Sequence, residues 1–440
     1  MPSDRLAACR VTTRSLWPHD HRMCCLATLG LWVLLGTGCH QTPETAPAGA
    51  ASRPAEAVPE PIDRQIRVLL LEGTPACSVS SDDAFDLIDP TAGTHFGQGE
   101  GGKPLGVVFE DQRIRVPSLQ LDLADQVVDL VPRGLEPIGI QVNGKVQYYR
   151  GWIRFARTGD NAGAVTNVVD IEDYLIAVVD AELPRRFHQE TFRAQAIAAR
   201  TYAWYHKQTT GKKRFWDVKA TERSQVYRGI NRSPHGSPAA EAVYDTRGLV
   251  CAWDAPEGER IFCAYYSSAC GGTTASAAAI NGREDAQIPP LTGNVQCDSC
   301  RNAPDRSWGP VSLGKTMITE ALRGRYPRFK ALGLIERIEV AEATPAGRAV
   351  RYRCIDGQNR EVEIEAENLR LTLDPSGREI RSTCFVLASN GSECVFQEGR
   401  GLGHGVGLCQ YGADALARQG MKASQILKLY YPSSRVRRAY

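Results

Sequence analysis

Three stretches of this 440-residue chain hold residues that folding alone does not demand. The first runs Asp170-Ile-Glu-Asp-Tyr-Leu-Ile-Ala-Val-Val-Asp-Ala-Glu182-Leu-Pro184, with a carboxylate at the end of an apolar run. A carboxyl with one apolar wall ionises less readily, which suits a general acid near neutral pH. A glutamate beside a helix start can equally act as a cap or dipole partner. The second, Tyr265-Tyr-Ser-Ser-Ala-Cys-Gly-Gly-Thr-Thr274, brings small hydroxyl residues into a tight Gly271-Gly272 turn. It does not match GxSxG, so no nucleophile elbow is expected. The third, Gly399-Arg-Gly-Leu-Gly-His-Gly-Val-Gly407, alternates glycine with other residues. It matches neither GxGxxG nor GxxxxGK[ST], so phosphate binding has no motif behind it. Glycine on one face of an extended chain lets another group approach the backbone closely, with Arg400 and His404 on the other face. The alternative is a glycine-rich loop in which His404 is incidental.

Cysteine supplies a fourth set. Ten cysteines follow residue 39: Cys77, Cys251, Cys263, Cys270, Cys297, Cys300, Cys354, Cys384, Cys394 and Cys409. In an exported chain they read first as disulfides. The spacing Cys297-x-x-Cys300 also suits a metal knuckle or a redox pair. For zinc, Cys270 is the candidate third ligand, and Cys263 or Cys251 the fourth.

These stretches need elements to hold them. Gln65–Glu72 reads as a buried strand, and residues 105–155 alternate apolar and polar repeatedly, with Asn143-Gly144 as a hairpin signal. After Pro184 the period changes. Ala194, Ile197, Ala198, Thr201 and Tyr205 share one helical face, with Pro184 as a first-turn residue and Gly211 as the stop. Residues 335–396 return to strand patterns, and Ala413–Arg418 and Ser424–Tyr431 read as helices. The fold class is α+β, because strands and helices do not alternate as in a doubly wound sheet. The expected layout is a β-rich part over 65–160 and a mixed core with a smaller β-rich subdomain over 161–440.

The chain opens differently. Residues 1–22 hold four arginines, Met23–Leu35 is apolar, and Gly36-Thr37-Gly38 precedes Cys39. This is the order of a secretory signal over residues 1–38, and it resembles a bacterial lipoprotein processing site with Cys39 as the lipidated residue. Residues 39–64 are rich in Pro, Ala and Glu, and form a spacer with too little apolar surface to fold. Lys and Arg number 52 against 50 acids. Removing residues 1–38 makes the two equal, so no nucleic-acid partner is expected, and the membrane is met only through the anchor.

In order, the chemical stretches resemble one known family, that of stage II sporulation protein D and the amidase enhancer LytB (SpoIID/LytB). The resemblance rests on Glu172-Asp-Tyr-Leu175, Val178-Val179, Glu182-Leu-Pro184, Arg193–Ala203, Ser224–Gly229, Tyr266–Thr273, Gly399–Ala413 and Tyr430-Tyr-Pro432. It runs from about residue 65 to the C-terminus. It implies a bacterial envelope protein, a lytic transglycosylase that cleaves denuded peptidoglycan strands between N-acetylmuramic acid and N-acetylglucosamine. Glu182 matches the family's catalytic acid. Arg200 matches a position linked to activity, where it would hold a sugar or lactyl group, and Gln195, Gln225, Tyr227, His404, Gln410 and Tyr411 match motif positions with substrate-groove roles. The amidase enhancers of the family imply the alternative, a non-catalytic glycan binder that stimulates a cell-wall amidase. Family members also bind zinc around the segment at 266–273. Tyr266 stands at the usual His, which leaves Cys270, Cys297 and Cys300 for a structural zinc.

Overall fold

A computed structural model describes residues 63–440 apart from 125, 143, 222–223, 231–235, 282–287 and 305. The signal segment, Cys39 and nearly all of the spacer lie outside the described residues. Two β-sheets are built first. A seven-stranded sheet runs in the order Val218–Lys219, Gln65–Thr74, Ala162–Asp170, Trp152–Gly159, Val127–Pro132, Phe85–Ile88, His95–Gly99. A six-stranded sheet contains Lys145–Tyr149, Ile138–Val142, Ala76–Ser80, Leu105–Glu110, Arg113–Val116 and Leu121–Leu123. The alternation in the sequence sets their inner faces, so Val68, Phe85, Phe109, Ile114, Ile140, Phe155 and Val165 share one core. The expected hairpin is present, with Val142 opposite Lys145 and Gly144 at φ 76°.

The strand Gln65–Thr74 pairs antiparallel with Ala162–Asp170 along almost its whole length. Residues 61–440 form one compact unit. The sheet therefore runs across the expected boundary between residues 160 and 161.

The helices lie on this sheet. Helix α1 (Ile171–Glu182) begins where Asp170 accepts a hydrogen bond from the Glu172 N–H, and it buries Ile171, Tyr174, Leu175, Val178 and Val179. Sequence reading saw only an apolar run here, since the segment is apolar on nearly every face. Helix α2 (Gln189–Gln208) follows, capped by the His188 side chain. Pro184 therefore does not start α2. It opens a turn in which the Phe187 N–H donates to the Pro184 carbonyl. The face predicted for α2 is the buried one, with Ala194, Ala198 and Thr201 fully enclosed. Alanines at these positions let α1, α3 (Pro238–Asp245) and the two C-terminal helices approach closely.

After the short α4 (Ala278–Asn281), a second cluster of strands and the helices α5 (Lys315–Arg325) and α6 (Ala366–Leu373) enclose a separate core around Phe329, Tyr352, Leu369 and Phe396. This is the smaller β-rich subdomain. The chain then returns to the first body through the glycine-rich segment, α7 (Gln410–Arg418), α8 (Ala423–Tyr430) and a final strand, Ser434–Arg438. Among the described residues no helix is long and apolar enough to cross a membrane.

Candidate active site and metal centre

The site is assembled by a two-residue strand pairing. Tyr266-Ser267 runs parallel to Leu408-Cys409, with Tyr266 opposite Leu408 and Ser267 opposite Cys409. Gly407 permits this approach. Its φ is +70°, and a Cβ there would stand 2.0 Å from the Tyr265 carbonyl oxygen. Gly401, Gly403 and Gly405 also have positive φ, so the alternating glycines let this segment weave against its own protein.

Glu182 is the last residue of α1 and half-buried. Three segments remote in sequence aim donors at it. The Val226 N–H donates to Oε1 at 3.1 Å, the Tyr266 hydroxyl meets Oε1 at 3.4 Å, and the Gln410 amide donates to Oε2 at 3.3 Å. Behind them stands a second row. Gln225 donates to the Tyr266 oxygen at 3.0 Å and to the Ala199 carbonyl at 3.2 Å, and it accepts from the Tyr174 hydroxyl at 3.0 Å. Since Tyr266 accepts from Gln225, its own proton is directed to Glu182. Burial and the Glu182 charge push the Tyr266 phenol well above its ordinary range, so it remains a donor. Gln195 accepts from Gln410 at 3.5 Å, and its Nε2 is buried without a partner.

Of the residues singled out in the sequence, Gln195, Gln225 and Gln410 thus gather on Glu182. Tyr411 lies one residue on, its hydroxyl accepting from Arg186 and its ring edge-on to Phe187. Three others do not face this site. Arg200 is fully buried and grips Glu172 with both arms, at 3.1 and 2.6 Å, while donating to the Leu249 and Val243 carbonyls. It joins α1, α2 and the end of α3 rather than holding a sugar. Tyr227 is buried against Tyr149 and Tyr174, and donates to Asn167. His404 turns toward the β-rich subdomain, accepting from the Val406 N–H among Glu367, Arg370 and Arg348. Burial lowers its imidazole pKa to about 4, leaving it neutral. Tyr266 entered sequence reading only as a departure from a metal-binding His. Its polar tip at a motif position was the available signal for a place beside Glu182.

The cysteines resolve into one cluster. Cys270, Cys297, Cys300 and Cys409 are all buried, with their sulfurs within 4.8 Å of one another. A tetrahedral zinc with bonds of about 2.3 Å needs sulfurs about 3.8 Å apart, and Cys270 and Cys300 lie 3.7 Å apart. Backbone N–H groups of Cys270 and Gly412 point at the Cys409 sulfur. Hydrogen bonding within the cluster lowers the Cys297 and Cys300 thiols and raises Cys270, while burial raises Cys409. The residues fit a closed, structural metal site. Its fourth member is Cys409. Cys263 lies beside His206, and the Cys251 N–H donates to Thr201. No disulfide joins any two of the described cysteines, so the disulfide reading finds no pair. A cysteine directly before Gln410 was the sequence signal for the missed ligand.

A family model described as stage II sporulation protein matches residues 160–253, and a domain of unknown function (DUF8618) matches residues 310–407. The chain is 31% identical over 296 residues to an uncharacterised protein of Brachyspira hyodysenteriae, covering 67% of this chain and 73% of that one. It is 25% identical over 283 residues to stage II sporulation protein D of Bacillus subtilis, covering 62% and 75%. It is 25% identical over 299 residues to the amidase enhancer of Bacillus subtilis, covering 59% of this chain but only 40% of the enhancer.

Proposed function

The chain belongs to the SpoIID/LytB family, and from that premise we propose that it is an exported lytic transglycosylase acting on denuded peptidoglycan strands. The observation that carries the reading is the convergence of Val226, Tyr266 and Gln410, each from a different motif, on the one carboxylate of Glu182. The chemistry needs one carboxyl. Glu182 gives its proton to the glycosidic oxygen as the bond from C1 of N-acetylmuramic acid breaks. The same carboxylate then takes the proton of the muramic C6 hydroxyl, whose oxygen closes on C1. The product ends in an anhydro sugar, no water is consumed, and Glu182 regains its starting state. Because Oε1 meets both Val226 and Tyr266, we assign the travelling proton to Oε2, steered by Gln410.

Cys270, Cys297, Cys300 and Cys409 would hold zinc as a clamp. The metal, when bound, supplies rigidity and no chemical step. Cys409 immediately precedes Gln410, so the clamp also fixes the start of α7 beside Glu182. Residues 1–38 would direct export, Cys39 would carry a lipid anchor, and residues 39–64 would space the folded body from the membrane.

The second reading, a non-catalytic binder that stimulates a cell-wall amidase, is favoured by the similarity to a protein named amidase enhancer. Incubating wild type and Glu182→Gln with peptide-free glycan separates the two. Anhydro-muramic products from wild type alone support the enzyme. Glycan retained by both proteins with no product from either supports the binder.

A further inference from the structure

A cavity of about 850 Å³ has a lining that does not include Glu182. Its floor holds Cys263, buried, and His206 from the last turn of α2, half-buried. The Cys263 sulfur lies 3.5 Å from His206 Nε2, and the other ring nitrogen, Nδ1, lies 3.0 Å from the Thr210 hydroxyl. The Tyr265 phenol also hydrogen-bonds to the Cys263 side chain. A thiol, a base facing it, a hydroxyl fixing that base and a second donor for the sulfur form the arrangement of an activated nucleophile. In the ion-pair form, Nδ1–H donates to Thr210 while Nε2–H and the Tyr265 hydroxyl donate to the thiolate.

The walls say what can enter. Tyr205, Trp253 and Phe262 line the cavity. Four of the charges at its rim are paired with one another, Arg437 with Glu259 at 2.5 Å and Arg260 with Glu257 at 3.5 Å, and Lys212 also lines it. The aromatic walls beside Cys263 suit a small molecule with an aromatic face.

We propose that Cys263 and His206 form a second reactive site, at which small disulfides entering this cavity exchange with the Cys263 thiol. The Cys263 proton passes to His206 Nε2. The thiolate sulfur bonds to one sulfur of the disulfide as its S–S bond breaks. The departing thiolate takes the proton from the imidazolium and leaves as a thiol. Cys263 ends oxidised as a mixed disulfide, half of the disulfide ends reduced, and no other reactant is consumed. The cluster of Cys270, Cys297, Cys300 and Cys409 takes no part, and neither does Glu182.

The test uses the full chain loaded with zinc and dithiodipyridine, a neutral aromatic disulfide that releases a coloured thiol. A free thiol is only a few per cent ionised near neutrality, so the ion pair should speed the first exchange about tenfold over a simple alkyl thiol. Mass mapping of wild type should place the first adduct on Cys263. Cys263→Ser should abolish the fast phase, and His206→Gln should slow it to the rate of the simple thiol. A first adduct on any other cysteine would overturn the proposal, as would a fast phase unchanged in His206→Gln. Near-ultraviolet circular dichroism reports whether each variant is folded. If either is not, the wild-type map and rate decide.

Discussion

At the scale of single residues, two influences meet on Glu182. It ends α1, where the helix dipole opposes a negative charge. Three donors favour that charge. In the proposed role Glu182 gives a proton and takes one back, and the Tyr266 hydroxyl is one of the groups that meet it. Tyr266→Phe should lower kcat about tenfold, about 1.4 kcal/mol for a long hydrogen bond to a charged group, with glycan retention unchanged. Steady-state rates beside a pull-down check the split. Arg200 belongs to a different ledger. Arg200→Met leaves Glu172 charged and buried, and urea unfolding should show a loss of about 3–5 kcal/mol. His404 adds a pH dependence. Its imidazole is held at about 4, below an unfolded value of about 6.5. Protonation therefore favours the unfolded chain, and stability is lost as pH falls from 6.5 towards 4, by up to about 3 kcal/mol. Thermal melts of wild type across that range should fall more steeply than those of His404→Gln.

At the scale of elements, the pairing of Tyr266-Ser267 with Leu408-Cys409 joins the cysteine cluster to the carboxylate. Cys409 lends its sulfur to one and its neighbour Gln410 to the other. Cys409→Ser should cut zinc from one per chain to well below that by metal analysis, lower Tm, and reduce glycan cleavage. A Tm in wild type that does not respond to a strong chelator would contradict the clamp. Period and turn chemistry made some elements legible: the α2 face, the Gly144 hairpin and the strands over 335–343, 349–356 and 361–365. Helix α1 was not legible, because burial on nearly every side erases the period that marks a helix. Cys409 was missed for a related reason. Its partners are between 109 and 139 residues away in the chain, and only the fold brings them together. The inward turn of Arg200 has the same cause, since its motif position says nothing of Glu172 across the helix pair.

At the scale of the molecule, the β-rich N-terminal part and the helical core share a sheet. Removing Gln65–Thr74 would bare the Ala162–Asp170 strand, whose Ala164, Val165 and Val168 are buried. A fragment of residues 161–440 should therefore lack a cooperative unfolding transition in calorimetry, whereas residues 63–440 should show one. The subdomain built around Phe329 and Phe396 has its own core, yet it reaches the site through Arg348, which donates to the Cys270 carbonyl. The central claim is that Glu182 alone moves the proton and that the sugar's own hydroxyl closes the ring. It is tested most directly by digesting peptide-free glycan in heavy-oxygen water and weighing the new ends. Fragments lighter by one water than the hydrolysed form, free of heavy oxygen and absent with Glu182→Gln, are the predicted result. Ends that carry heavy oxygen, or anhydro ends that persist with Glu182→Gln, would contradict it.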